Sequence, residues 1–136
     1  MKAEIYGQQS FFIPVRLPGL NDIILAKGQY YGKGNKRFEK YQAMKREYES
    51  LIISFVQLNN IKPVKRAHFK FIWVEKDKRR DPDNIAAARK FILDALVTCG
   101  VLSGDGWKQI AGWIDTFTVA EGKQQPGVGV TLWADK

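Results

Sequence analysis

Three aspartates stand where carboxylates can act together: Asp81 and Asp83, two apart in Arg79-Arg80-Asp81-Pro82-Asp83-Asn84, and Asp105 in Gly104-Asp105-Gly106. Their oxygens are hard donors, and with no His or Cys cluster beside them they favour Mg²⁺ or Mn²⁺ over zinc. A cation so held lowers the pKa of a water, clamps nonbridging phosphate oxygens and stabilises a leaving oxyanion, which is the chemistry of phosphodiester hydrolysis. Pro82 biases Asp81 towards an extended backbone, in which alternate side chains share a direction, so that two carboxylates can meet one ion. Asp83 or Asn84 is also placed to cap a following helix, whose dipole favours negative charge; that accounts for Asp83 and leaves Asp81 unexplained. Asp105 comes 22 residues after Asp83. Asp-Gly is itself a common turn former, so a turn and a third ligand are both open readings.

Lys90 and Asp94 lie seven and eleven positions after Asp83. At about 3.6 residues per helical turn all three fall near one azimuth. Two readings stand for them. One is an ordinary i, i+4 ion pair worth a few tenths of a kcal/mol; the other has Lys90 contact the scissile phosphate while Asp94 fixes its position. Asp115 shares a strand face with Trp113 and Phe117, as a further ligand or as an edge-strand guard. His68 is the only histidine and lies far from any nucleophile motif, so no Ser-His-Asp or Cys-His arrangement competes. Cys99 is the only cysteine, cannot form an internal disulfide, and sits at the end of an apolar helical pattern as a small core residue.

The elements that must position these residues are legible from periodicity. Phe11 to Leu17 reads as a strand with an irregularity at Pro14, stopped by Pro18-Gly19. Lys27 to Arg37 mixes Gly, Lys and Tyr without a period and reads as a mobile cationic loop. Lys27, Lys33, Lys36 and Arg37 there, with Arg79 and Arg80 beside the acidic pair, are the candidate phosphate contacts; Tyr30 or Tyr31 could stack on an unpaired base. Phe38 to Gln57 carries apolar residues at three- and four-residue intervals, a long amphipathic helix. Lys65 to Glu75 is a second strand leading into the acidic motif. Ile85 to Cys99 is a helix stopped by Gly100, burying Ile85, Ala88, Ile92, Ala95, Leu96 and Cys99. Ile110 to Val119 and Val128 to Trp133 are closing strands joined by the polar turn Glu121 to Pro126. The predicted order is β-α-β-α-β-β: one compact α/β (α+β) domain over residues 1–136, with a mixed four-stranded sheet and two main helices. The four tryptophans, Trp73, Trp107, Trp113 and Trp133, are assigned to the core ahead of an interface.

With 136 residues, 45% of them hydrophobic, the chain can bury one core and hardly two. Lys plus Arg number 22 against 14 Asp plus Glu, a net charge of +8 that favours a nucleic-acid partner bound through counterion release. The segment Met1 to Gly7 lacks the apolar core of a signal peptide, and no apolar run approaches the ~18 residues of a membrane span. A cytoplasmic chain is expected.

The runs RRDPDN, KFILDAL and GVLSGDGW together resemble the RusA family of Holliday junction resolvases, particularly its phage and prophage members. The resemblance covers Arg79 to about Trp107 at motif level and most of the chain more loosely. It implies a small, basic, homodimeric, Mg²⁺-dependent endonuclease, with Mn²⁺ as a substitute, that resolves four-way DNA junctions by paired symmetric nicks. It further implies that Asp81, Asp83 and Asp105 are the metal-binding catalytic carboxylates, that Lys90 is the essential lysine, and that Asp94 is the acidic residue of the family's helix. In the best-known branch the lysine lies nearer the acidic pair. An apparent insertion within Ile85 to Arg89 shifts it here, so Lys90 is anchored on its spacing from Asp94, with Arg89 next in line. Where the family often has paired aspartates this chain has Gly104-Asp105. The rival readings are a structure-specific nuclease for other substrates and a non-catalytic basic DNA-binding module.

Overall fold

Alternation along Ala67–Glu75 builds the centre of the molecule: Ala67, Phe69, Phe71 and Trp73 are buried on one face, while Lys70 on the other is exposed. The computed structural model describes residues 7–33 and 38–136, and of Tyr31 and Phe38 the backbone alone. In chain order the elements are β1 (Gln8–Ile13), α1 (Leu20–Ala26), β2 (Tyr30–Tyr31), β3 (Phe38–Glu39), α2 (Lys40–Leu58), β4 (Ala67–Glu75), α3 (Pro82–Ala86), α4 (Arg89–Thr98), β5 (Ile110–Val119) and β6 (Gly127–Ala134). The main sheet is mixed, in the order β1-β6-β4-β5. β6 runs antiparallel to β1 and to β4, and β5 is parallel to β4.

One face of the sheet carries the core. Phe11 and Ile13 of β1, Val128, Val130 and Leu132 of β6 and the aromatics of β4 meet Ile52 and Val56 of α2 and Phe91, Ile92, Ala95 and Leu96 of α4. Burying each such side chain contributes roughly 1.5–3 kcal/mol. The opposite face holds Ser10 hydrogen-bonded to Thr131 and exposed Lys70, Ile114, Thr116 and Thr118, giving two layers. The domain is thus α+β, with α2 and α4 as its two main helices.

A parallel β4–β5 pair requires a crossover, and α3 with α4 supplies it. Asp81, Asp83, Asp94 and Asp105 all lie on that crossover, and Asp115 lies in β5 itself. Its single expected helix is broken in two, because Ala88, Lys90 and Phe91 donate to carbonyls three residues back, a tighter winding through Ala87 and Ala88. The α4 end is as the glycine stop predicts: Gly100 has φ +84°, and Val101 N–H returns to Leu96 O at 2.9 Å while Gly100 N–H donates to Val97 O at 3.1 Å, a Schellman motif.

Elsewhere the differences have local causes. β1 ends at Ile13 rather than Leu17, because Pro14 cannot continue the ladder. The stretch expected as a mobile cationic loop carries the short strand β2, which pairs with β3 at Phe38–Glu39, where the long helix was expected to begin, and helix α1 lies between Gly19 and Lys27, where no element was expected. Among the described residues no helix is long and apolar enough to cross a membrane.

Candidate active site

The motif Arg80 to Ile85 alternates between anchoring and presenting residues. Arg80 turns inward, its Nε 2.9 Å from Glu75 Oε1 and its Nη2 2.8 Å from Glu75 Oε2, while Nη1 donates to Leu17 O at 3.0 Å. The two side chains are 10% and 11% exposed, so this is a two-pronged buried ion pair. Asn84 Oδ1 accepts the backbone N–H of Asn21 at 3.0 Å, tying the start of α1 to α3. Gly19 makes that approach possible: a Cβ there would stand 2.6 Å from Asn84 Oδ1 and 2.8 Å from Asn84 O. Ile85 is buried beneath.

Asp81, Pro82 and Asp83 are left facing solvent on this platform. Asp81 is extended, with ψ 153°, and occupies the N-cap position of α3, yet its side chain makes no cap hydrogen bond. Its carboxylate has no partner among the described residues. Asp83, in the first turn, accepts the backbone N–H of Asn84 at 2.9 Å through Oδ1 and keeps Oδ2 free. The expected helix cap at Asp83 or Asn84 is therefore replaced by a cap at Asp81 that uses backbone alone. The two aspartates are an N-cap residue and a helical residue rather than alternate members of a strand.

Lys90 and Asp105 meet on the outer side of α4. Lys90 Nζ lies 3.1 Å from Asp94 Oδ1 and 3.2 Å from Asp105 Oδ2. Asp94 is 14% exposed, and its Oδ2 is 3.2 Å from Lys45 Nζ of α2 without an aligned hydrogen bond. The hydrogen bond to Asp94 does most to raise the Lys90 ammonium above its ordinary pKa; burial opposes it, and the hydrogen bond to Asp105 and the charges of both carboxylates add to the rise. Because the helix breaks at Ala87-Ala88, the single azimuth from Asp83 through Lys90 to Asp94 does not persist, and only the i, i+4 pair within α4 does.

Asp105 follows α4, at the end from which β5 starts, whereas Asp81 and Asp83 precede α3 at the carboxyl end of β4. Among the described residues no group of three or more His, Cys, Asp or Glu side chains is placed to hold a metal ion. Asp105 is brought to Lys90 and Asp94, not into a cluster with Asp81 and Asp83. The donor chemistry of the pair still fits Mg²⁺, which keeps several waters and is commonly bound through one or two carboxylates plus substrate phosphates. A cleft of about 620 Å³ lies beside the pair, lined by Glu75, Pro82, Ile85, Phe117, Val119 and Glu121 at the carboxyl ends of the two parallel strands. In open α/β sheets that is where ligands collect.

Arg89, next in line for the lysine role, points the other way. It pairs with Asp115, which also accepts Trp73 Nε1 at 2.9 Å, and its guanidinium lies 4.3 Å from the Trp113 ring centroid. Asp115 is thereby occupied in a structural pair, neither a free ligand nor a bare edge charge. Of the candidate phosphate contacts, Arg80 is held by Glu75; Arg79 is 85% exposed with Asp77 at 3.5 Å. Lys27 stands 4.8 Å from the Tyr41 ring centroid, and Lys33 is exposed. Lys36 and Arg37 lie outside the described residues. His68 stacks on Trp133 at 5.6 Å and contacts Asp135.

No model of a known protein family matches this sequence, and no curated protein matches it either.

Sequence reasoning missed Glu75 and Lys45. Glu75 has the same parity as Phe69, Phe71 and Trp73, which places it on the buried face and was the available signal. Lys45 carries no comparable signal, since its partner Asp94 belongs to a helix 49 residues away.

Proposed function

We propose that this chain is a divalent-metal-dependent endonuclease for branched DNA, with the four-way junction as its substrate, a reading supported by motifs that resemble those of the RusA family of resolvases. The observation that carries this reading is the outward presentation of two carboxylates two residues apart, Asp81 with no partner and Asp83 with one oxygen unbonded among the described residues, on a platform held by Arg80–Glu75 and Asn84. In a chain of net charge +8, bare carboxylates would repel a polyanion unless a cation stood between them. Asp81 and Asp83 would hold Mg²⁺, or Mn²⁺ in its place. When bound, the cation supplies Lewis acidity towards a phosphate and a water. Lys90, kept protonated by Asp94 and Asp105, offers fixed positive charge to a phosphate rather than a basic site. Arg79, Lys27 and Lys33 supply sequence-independent contacts to the backbone. The setting is a reducing cytoplasm.

A four-way junction has approximate twofold symmetry, which a homodimer with two identical sites would match. The surface best suited to that dimer is the outer edge of β5, a ten-residue strand paired on one side only. It contains no Lys, Arg or Pro, its one charge is neutralised by Arg89, and Trp113, Ile114 and Phe117 are exposed along it. Antiparallel addition of a second β5 is self-complementary and avoids cation–cation repulsion.

A non-catalytic DNA-binding module is the second reading, favoured by the lack of a three-carboxylate group among the described residues. Cleavage of a synthetic four-way junction and of a linear duplex of the same sequence, in Mg²⁺ and in EDTA, separates the two. Paired Mg²⁺-dependent nicks in the junction alone, reduced on the order of 10²–10³-fold in Asp83→Asn, are expected. Cutting of both substrates would make this a general nuclease, and binding without cleavage in Mg²⁺ or in Mn²⁺ supplied in its place would leave the binding module.

A further inference from the structure

Trp107 is 93% exposed, although a tryptophan ordinarily buries most of its large apolar surface. The sequence placed it in the core, and no described residue covers it. It does not ride on a loose loop. Gln109 grips the segment through its side chain, accepting Gly106 N–H at 3.2 Å and donating to Ser103 Oγ at 3.3 Å. The backbone N–H groups of Gln109 and Ile110 both return to Gly106 O, at 3.1 and 3.0 Å. Asp105 is tethered to Lys90. Val101 and Leu102, just upstream, are buried. The indole is therefore offered to solvent from a held turn, two residues from Asp105 and so within about 7 Å of it along the backbone.

We infer that Trp107 is a stacking contact for an unpaired nucleobase at the branch point of the DNA, set beside the Lys90–Asp105 pair. The inference rests on the branched-DNA reading above. A protein partner would call for a contiguous apolar patch. The chain neighbours of Trp107 are instead Ser103, Gly104, Asp105, Gly106 and Lys108, with Lys108 exposed and Lys90 59% exposed nearby. A flat aromatic ring among ammonium groups is the arrangement that binds a splayed base and its phosphate, and stacking tolerates any base because each has a π-face. Extruding a base costs a few kcal/mol and least where its pairing or stacking is already weakened, and at a branch point the continuous stack of the duplex is interrupted.

The test uses the full chain in EDTA, where no cleavage competes, with 2-aminopurine placed at the crossover of a four-way junction. Trp107→Ala and Trp107→Phe are compared with the unaltered protein for junction affinity, linear-duplex affinity and 2-aminopurine fluorescence. Trp107→Ala should weaken junction binding about tenfold, within the roughly 5- to 150-fold that one base stack contributes. It should leave duplex affinity within about twofold and abolish the fluorescence change, with Trp107→Phe intermediate. Equal junction affinity and an unchanged fluorescence response in Trp107→Ala would overturn the inference while sparing the nuclease reading. So would a variant whose only defect is lost self-association in sedimentation, which would assign the ring to a protein contact. If the unaltered protein binds junction no better than duplex, the branched-DNA reading falls and takes this inference with it.

Discussion

Lys90 is the residue in which structure and chemistry meet most closely. Asp94 first, and Asp105 second, raise its pKa, so the sign is that of a cation gaining partners. The ion-pair contribution is fully present below the unfolded lysine value of about 10.4 and is lost only as pH climbs through the higher folded value. Between about pH 6 and 9 Lys90 therefore carries one fixed charge and cannot serve as a general base. Lys90→Ala should lower kcat on the order of 10²–10³-fold, the loss expected when one charged donor aimed at a developing oxyanion is removed. Lys90→Arg should keep the shape of the pH–rate profile over that range. A limb between pH 6 and 9 that vanishes in Lys90→Arg would show that the lysine titrates there and would sink this role. The inward turn of Arg89 onto Asp115 and Trp113 explains why the neighbouring cation cannot take over.

At the scale of elements, the start of α3 is fixed by a buried pair rather than by its own hydrogen bonds. α3 has five residues and no side-chain cap, so its position depends on Arg80 gripping Glu75 and on Asn84 receiving Asn21 N–H. Arg80→Ala would strand the carboxylate of buried Glu75 at the end of β4. The expected cost is about 3–5 kcal/mol in urea denaturation, and pairing Arg80→Met with Glu75→Gln should recover much of it. A single-variant loss below about 1 kcal/mol would mean that the platform does not depend on this pair. The break between α3 and α4 belongs to the same scale. Two alanines in tight winding separate the acidic pair from the lysine stripe, which a uniform 3.6-residue count cannot register.

At the scale of the whole molecule, β5 leaves a long uncharged edge on a cationic domain. If two copies join there, the protein should sediment as a dimer at micromolar concentration, and Ile114→Lys, which adds the charge that natural edges use against pairing, should shift it to monomer. A wild-type monomer under the same conditions would remove the edge from the assembly and leave each site to act alone. The four strands of the main sheet, the amphipathic α2, the glycine stop after α4, the mixed α+β class and the Lys90–Asp94 spacing were all determined by the sequence itself, because each depends on side-chain period or on contacts within one helical turn. Only the tertiary structure decided that Arg80 turns to Glu75, that Asp115 and Arg89 neutralise each other, that Asp105 meets Lys90 instead of joining Asp81 and Asp83, and that Trp107 faces solvent. Those outcomes depend on β5 lying parallel beside β4 and on where the crossover between them returns, and no local period in the chain encodes which strands become neighbours.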